Sequence, residues 1–159
     1  MARTETVIAA PVEQVWAALM DPWLYTQWVV GNKRVRGVDG DWPRPGSRFH
    51  HTVGLGPLAT RDFTRLVTAQ EHRRVELDAH AWPVGTARVV LELEPVDGGT
   101  RVVMHEEPTR GPAKWMETRL LHGFTHGRNV ESLRRLRRMV EHRARSDGDA
   151  GAPEGRSAS

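Results

Sequence analysis

The chain has 159 residues, no cysteine, and 23 basic against 20 acidic side chains, giving a formal net charge of +3. This length predicts a single domain, and the lack of cysteine excludes a disulfide framework and thiol chemistry. A small net charge with interspersed acidic residues does not favour nucleic acid as a partner. No apolar run is long enough to span a bilayer and the first residues lack a signal-peptide core, so we expect a cytoplasmic protein with no membrane partner.

The first fifth of the chain predicts a strand followed by two short helices. Residues 4–9 alternate as a strand, and Pro11 suits the first turn of a helix, where a missing N–H costs nothing. Helical spacing then connects Val12, Val15, Trp16 and Leu19. Pro22 ends this helix, because the residue before a proline avoids the helical region. Residues 23–29 predict the second short helix, which ends at Gly31.

The middle of the chain predicts an antiparallel sheet, because short segments of alternating hydrophobicity are separated by turn residues. These segments are residues 33–38, 48–53, 60–70, 74–81, 86–95 and 100–107, with a hairpin turn at 97–99. In segment 60–70 either Phe63 and Val67 or Thr64 and Leu66 can face the core, and a β-bulge would reconcile the two phases. We therefore expect a curved sheet of six or seven strands.

A long C-terminal helix is predicted for residues 112–143. Its apolar stripe recurs every three or four residues at Met116, Leu120, Phe124, Gly127, Val130, Leu133, Leu136 and Val140. A helix of about 30 residues is about 45 Å long, and only the sheet offers an apolar surface of that length. Residues 146–159 show no apolar period, so the chain divides into a domain at 1–145 and a disordered tail at 146–159.

Several motifs in this order of elements occur together in one known superfamily. They are AAPVEQVWAALMDP at 9–22, Trp28, the Pro45–Gly46 pair, DGGTRV at 97–102 and GRNVESLRRL at 127–136. Together they resemble the α+β helix-grip fold of the START-like (SRPBCC) superfamily, which includes polyketide cyclases/dehydrases and birch-pollen-allergen-like carriers. The resemblance spans about residues 3–143. It implies a cavity between the sheet and the long helix for a small apolar or aromatic molecule, but no shared catalytic residues.

Two polar residues, His51 and Glu106, share strand faces with apolar residues and are the candidate catalytic groups. A buried carboxylate needs a partner or a raised pKa, and Arg61, Arg65 or a histidine is the expected partner. If both residues face the cavity, they can polarise a ligand carbonyl or move a proton. The alternative is that Glu106 lies in solvent at its strand end and that His51 is structural.

The strand phases and the resemblance together predict the lining of the cavity. Trp28, Trp82 and Trp115 are expected around its entrance. The full predicted lining is Trp28, Phe49, His51, Phe63, Arg65, Leu77, Trp82, Val89, Leu91, Met104, Trp115, Met116, Leu120 and Phe124. His122 and His126 are four residues apart on one helix face, but Gly123 replaces the glutamate of an H-E-x-x-H motif, so no metal site and no cofactor is predicted.

Three classes of function remain open at this stage. A lining that is apolar apart from tryptophan favours a ligand carrier. Several convergent polar groups, such as His51 and Glu106, favour a cyclase or dehydratase acting on a polyketide-like substrate. An exposed apolar patch with little cavity favours an interaction module similar to the chaperone-activating members of the superfamily. The partner in the first two cases is a small apolar or aromatic molecule, and the protein is expected to be a monomer or a homodimer.

Overall fold

The computed structural model of the protein describes residues 2–55, 57–112 and 119–151. Within these ranges the elements follow one another as β1 (Ala2–Ile8), α1 (Val12–Leu19), a 3-10 turn (Pro22–Leu24), α2 (Tyr25–Trp28), β2 (Asn32–Val38), β3 (Arg48–Leu55), β4 (Leu58–Gln70), β5 (Arg74–Ala81), β6 (Gly85–Val96), β7 (Gly99–Arg110) and α3 (Arg119–Ala150). None of the helices in the described ranges is both long and apolar enough to cross a membrane.

The strands form one curved antiparallel sheet in the order β1-β7-β6-β5-β4-β3-β2. Every strand segment expected from the alternation is present, and the two short helical segments follow β1 as expected. The α+β helix-grip architecture is therefore confirmed. β1 and β2 lie at opposite edges of the sheet, and the two helices connect them. The strands from β2 to β7 follow one another as neighbours, so that the last strand lies beside the first.

One face of the sheet, which we call the inner face, packs against the helices. The buried apolar side chains of this core are contributed by every strand and all three helices: Ile8, Ala10, Val15, Ala18, Leu19, Leu24, Tyr25, Trp28, Val35, Phe49, Leu66, Val75, Leu77, Leu91, Leu93, Val102, Met104, Leu133, Leu136 and Val140. Alternation along each strand sends the intervening residues to the opposite, outer face. That outer face carries most of the charged side chains of the sheet.

The structure shows which residues of segment 60–70 face the core. Thr64 and Leu66 are buried on the inner face, and the register shifts between Leu66 and Thr68. This shift is the expected bulge. Phe63 lies on the outer face, where its ring stacks on His80 with 4.1 Å between centroids.

Helix α3 is buried along one side of its middle part, residues 129–140, and mostly exposed over residues 122–127. Leu133, Leu136 and Val140 are at most 2% exposed, whereas Phe124 is 56% exposed. The helix continues to Ala150, beyond the expected end at residue 143. Residues 146–150 of the predicted tail are therefore helical and exposed, and the tail from residue 152 onward lies outside the described residues.

The strand ends nearest the start of α3 are held together by a close backbone approach at Gly85. Its φ is +129°, a value that disfavours a side chain, and a Cβ built there would lie 1.9 Å from the carbonyl oxygen of Arg110. Thr109 adds a hydrogen bond from its hydroxyl to the carbonyl oxygen of Thr86 at 3.1 Å. The β5–β6 hairpin is thereby fixed against the end of β7.

Candidate ligand-binding site

His51 lies on the inner face of β3 and is 4% exposed. Its Nε2 is 2.9 Å from the hydroxyl oxygen of Thr64 on the neighbouring strand β4. Its ring lies 5.5 Å from that of Phe49, at the end of an aromatic group that continues to Tyr25. Asp62 is its directly paired residue on β4. The hairpin of β3 and β4 thus places one imidazole, one hydroxyl and one carboxylate at the side of an aromatic core.

The imidazole of His51 is held in its neutral form. Burial lowers the pKa of His51 to about 4, and the negative charge of Asp62 counteracts this only in part. A neutral imidazole has one ring nitrogen that donates and one that accepts a hydrogen bond. With Nε2 engaged by Thr64, Nδ1 is buried and has no partner among the described residues. The site therefore offers one unused polar atom in apolar surroundings.

Asp62 fixes the hairpin next to this histidine. Its Oδ2 accepts a hydrogen bond from the backbone N–H of Trp82 at 2.7 Å, and its Oδ1 accepts one from the N–H of Phe63 at 3.1 Å. Arg36 from the edge strand β2 donates to the backbone carbonyls of His51 and Asp62 at 3.3 and 3.1 Å. The hydrogen bonds of Asp62 and Arg36 therefore stabilise the relative positions of β3, β4 and the β5–β6 turn.

Glu106 forms the second polar group on the inner face. It is 9% exposed, and both of its carboxylate oxygens lie 2.5 Å from Nη2 of Arg128 on α3. The same Nη2 donates to Oδ1 of Asn129 at 3.2 Å. The amide nitrogen of Asn129, a residue only 2% exposed, has no partner among the described residues. An ion pair thus joins the last strand to the long helix, with a spare amide donor beside it.

Comparison with known proteins supports the architecture around these two groups. The sequence profile of the family "Polyketide cyclase / dehydrase and lipid transport" matches residues 1–141. The chain belongs to this family. No curated protein matches the sequence.

Several solved structures have the same fold as this member of the polyketide cyclase/dehydrase family. A Rhodobacter sphaeroides protein shares 23% identity with a TM-score of 0.68, covering 87% of this chain and 90% of its own. A Nitrosomonas europaea protein shares 20% with a TM-score of 0.67, covering 89% and 94%. DynU16, a protein of the dynemicin biosynthetic locus, shares 19% with a TM-score of 0.64, covering 88% of this chain but 46% of its own. At these identities the likeness concerns the fold.

Six of the fourteen predicted lining residues of this family member are brought together on the inner face. Phe49, His51, Leu77, Leu91 and Met104 are all buried there, and Val89 is half-buried in the same row. Trp28 is 2% exposed in the core beside Tyr25 rather than at an entrance, and its indole N–H has no partner among the described residues. Trp115 and Met116 lie outside the described residues, as does the side chain of Leu120. The enclosed cavity itself stays a prediction.

Two predicted lining residues of β4 point away from the core. Phe63 is covered on the outer face by the guanidinium of Arg48, 4.6 Å from its ring centroid. Arg65 pairs on that face with Asp78 at 2.7 Å. The physical reason is the phase of β4: once Thr64 and Leu66 are buried, their neighbours in sequence must face outward. Arg65 is therefore not the partner of Glu106.

Two further lining residues, Trp82 and Phe124, lie at the surface. Trp82 is in the β5–β6 turn and is 73% exposed, and Phe124 is 56% exposed on α3. At 3.6 residues per turn, Phe124 is rotated by about 140° from the buried Asn129 around the helix axis. The regular stripe in the sequence thus does not remain on one side of a straight helix over its whole length.

The sequence did not identify Arg128, Asn129 and Thr64 as members of the site. Arg128 was assigned to the polar flank of the helix, and Thr64 to one of two open phases of its strand. A polar residue on the buried face of α3 was the available signal, because Asn129 and Ser132 share a face with Leu133 and Leu136. Among the described residues, no three His, Asp or Glu side chains are grouped so as to hold a metal ion.

Proposed function

We propose that the protein binds a small, mainly apolar or aromatic molecule between the inner face of the sheet and α3. The observation that carries this proposal is the neutral, buried His51 with its unused Nδ1 on the face to which Phe49, Leu77 and Leu91 also contribute. A buried polar atom without a partner costs roughly 1–3 kcal/mol. A guest that carries one hydroxyl or carbonyl on an apolar body recovers this cost and fills the apolar surroundings.

Membership of a family described by cyclase, dehydrase and lipid-transport activities supports a small apolar guest. It does not by itself choose between a carrier and an enzyme. We favour a binding function over an enzymatic one because the two candidate catalytic groups are poorly suited to proton transfer. Glu106 is held by Arg128, and a histidine whose pKa is about 4 is a weak base near neutral pH.

A cyclase or dehydratase is the second candidate function. The observation in its favour is that His51 is neutral at pH 7 and hydrogen-bonded to Thr64, so that the imidazole can accept a proton from a bound guest. A guest whose own acidic proton lies next to Nδ1 would be required. Turnover of a polyketide-like substrate that is lost in His51→Gln and kept in Arg65→Met would favour this candidate over simple binding.

The binding proposal is tested with two neutral fluorescent probes, naphthalene and 1-naphthol, which differ by one hydroxyl group. We expect the protein to bind both saturably and to prefer 1-naphthol about tenfold, which corresponds to about 1.4 kcal/mol for one hydrogen bond. In His51→Leu the preference should disappear while naphthalene still binds. Arg65→Met, on the outer face, serves as the matched control and should leave both affinities unchanged.

Two results would contradict the binding proposal. The first is that neither probe binds saturably to the unmodified protein. The second is that the preference for 1-naphthol persists in His51→Leu, provided that this variant melts cooperatively. In that case the unused nitrogen of His51 has no part in binding.

A further inference from the structure

Four large apolar side chains are exposed at one end of the molecule. Leu58 is 80% exposed, Trp82 73%, Val84 53% and Phe124 56%. We call these four residues the apolar rim. Leu58 begins β4, Trp82 and Val84 form the β5–β6 turn, and Phe124 lies in the first part of α3. Isolated apolar side chains on a surface need no explanation, but a group of four from three separate segments does.

The hydrogen bonds of the structure bring these segments to the same end. The β5–β6 turn is attached to the start of β4 by the bond from the Trp82 N–H to Asp62. The turn also touches the end of β7, through the close approach of Gly85 to Arg110. The ion pair of Glu106 with Arg128 places the first part of α3 next to the last residues of β7. The rim therefore lies at the end of the sheet that is nearest the exposed first part of α3.

Two arginines lie in the segments beside the rim, whereas Asp62, whose carboxylate accepts the hydrogen bond from the Trp82 N–H, is buried. Residues 57–61, 82–86 and 108–112 contain two arginines, Arg61 and Arg110, and no aspartate or glutamate. Both arginines are exposed, and neither forms an ion pair with another described residue. By contrast, Arg65 and Arg88 on the outer face are both paired with Asp78.

Exposed tryptophan, leucine and phenylalanine flanked by unpaired arginines match the chemistry of the membrane interface. Apolar side chains enter the boundary between headgroups and acyl chains, tryptophan is favoured at that depth, and cations are attracted to anionic headgroups. A stable protein interface takes about 20–30 residues a side, whereas this end offers four apolar side chains and two arginines on separate strands. The observations therefore favour a lipid surface over a protein partner.

We propose that the apolar rim docks this end of the molecule onto a lipid bilayer that contains anionic headgroups. An apolar guest then passes between the bilayer and the inner face without crossing water; this second part rests on the proposed function, whereas docking does not. The expectation of no membrane partner was based on the lack of a spanning segment. Contact with a membrane surface does not need one.

The test is flotation of the full chain with lipid vesicles. We expect the unmodified protein to float with vesicles of phosphatidylcholine and phosphatidylglycerol, and much less with phosphatidylcholine alone. Leu58→Asp and Trp82→Asp should each lower the bound fraction about tenfold, because a carboxylate is then placed among the lipids. Raising the salt concentration should weaken binding, since the attraction to headgroups is screened.

The matched control is Trp23→Asp. Trp23 is also an exposed tryptophan, at 56%, but it follows Met20, whose carbonyl is bonded to Trp42 in the β2–β3 connection at the other end of the sheet. This variant should float like the unmodified protein. A cooperative thermal melt of each variant shows that a loss of flotation is not a loss of fold.

Three outcomes would overturn the docking proposal. The first is that the unmodified protein does not float with anionic vesicles. The second is that Trp23→Asp loses flotation as completely as Trp82→Asp. The third is that the protein forms a dimer that does not bind vesicles and that Trp82→Asp abolishes. In the last case a second copy covers the rim. If flotation behaves as expected but neither naphthalene probe binds, docking is supported and the proposed function alone fails.

Discussion

His51 is almost fully buried, and its Nε2 is bonded to the Thr64 hydroxyl. An imidazolium in this position would lose most of its hydration, and burial accordingly lowers the pKa of His51 to about 4. In an unfolded chain the pKa of histidine is about 6.5. Between these two values the unfolded chain binds more protons than the folded one, so the free energy of unfolding falls as the pH falls. Above pH 6.5 both states are neutral at this residue and the dependence ends.

We therefore predict a specific acid sensitivity that depends on His51. Between pH 7 and pH 4 the free energy of unfolding should fall by about 2–3 kcal/mol more in the unmodified protein than in His51→Leu, because a shift of one pKa unit is worth about 1.4 kcal/mol. Urea unfolding at a series of pH values measures this difference, and the titrations of the carboxylates cancel between the two proteins. Parallel pH profiles would show that His51 is not held neutral.

The two polar groups of the site differ in how far the sequence could predict them. An inward position of Glu106 was one of two alternatives, because it is in phase with Val102 and Met104 on a regularly alternating strand but lies near the strand end. Its partner Arg128 lies 22 residues later on a different element. No local pattern specifies which side of a helix will face a given strand residue, so the pair could be found only once both elements were positioned.

Among the elements, α3 shows the limit of periodicity most clearly. Leu133, Leu136 and Val140 were predicted in the core and are buried there, whereas Phe124 of the same stripe is exposed. A helix of 32 residues cannot keep a stripe on one side unless its spacing averages 3.6 residues. The buried middle part, residues 129–140, packs against β1, α1 and α2 and sets the rotation. The N-terminal half then follows from that rotation.

We predict that substituting an apolar side chain by alanine has very different effects in the buried part and in the exposed part of α3. Leu136→Ala should lower the free energy of unfolding by about 3 kcal/mol, because it removes a side chain that is 0% exposed and leaves a cavity. Phe124→Ala should change it by less than about 0.5 kcal/mol, as surface substitutions usually do. Urea unfolding at pH 7 compares the two directly. Equal losses would mean that Phe124 packs in the core.

The inward and outward faces of a strand could be predicted where apolar and polar residues alternate regularly, and they stayed ambiguous where the alternation is irregular. Residues 74–81 form a strand with the predicted bounds and phase. In β4 the phase was open because a bulge between Leu66 and Thr68 changes which residues face inward. Phe63 and Arg65 were placed in the lining on that account. An aromatic residue on the outer face is stable here because His80 and Arg48 cover its ring.

At the scale of the whole molecule, α3 is held differently at its two ends, which we call the closed end and the open end. At the closed end the N–H of Ala9 donates to Glu141 of α3 at 2.9 Å and the Thr100 hydroxyl donates to the carbonyl of Ala10. At the open end the exposed first part of α3 is joined to the sheet by the ion pair of Arg128 with Glu106. We expect the proposed guest to enter at the open end, because the fewest apolar contacts must separate there.

This asymmetry predicts a matching pattern of amide hydrogen exchange. In the free protein, amides of residues 122–127 should exchange about a hundredfold faster than those of residues 133–140, because local opening there exposes little buried apolar surface. Saturation with 1-naphthol should slow exchange in residues 122–127, since a guest between α3 and the inner face adds contacts to the weakly packed part. In His51→Leu, about ten times more 1-naphthol should be needed for the same slowing. If the probe instead protected only residues 133–140, the guest would lie at the closed end, and the site built on His51 would be in the wrong place.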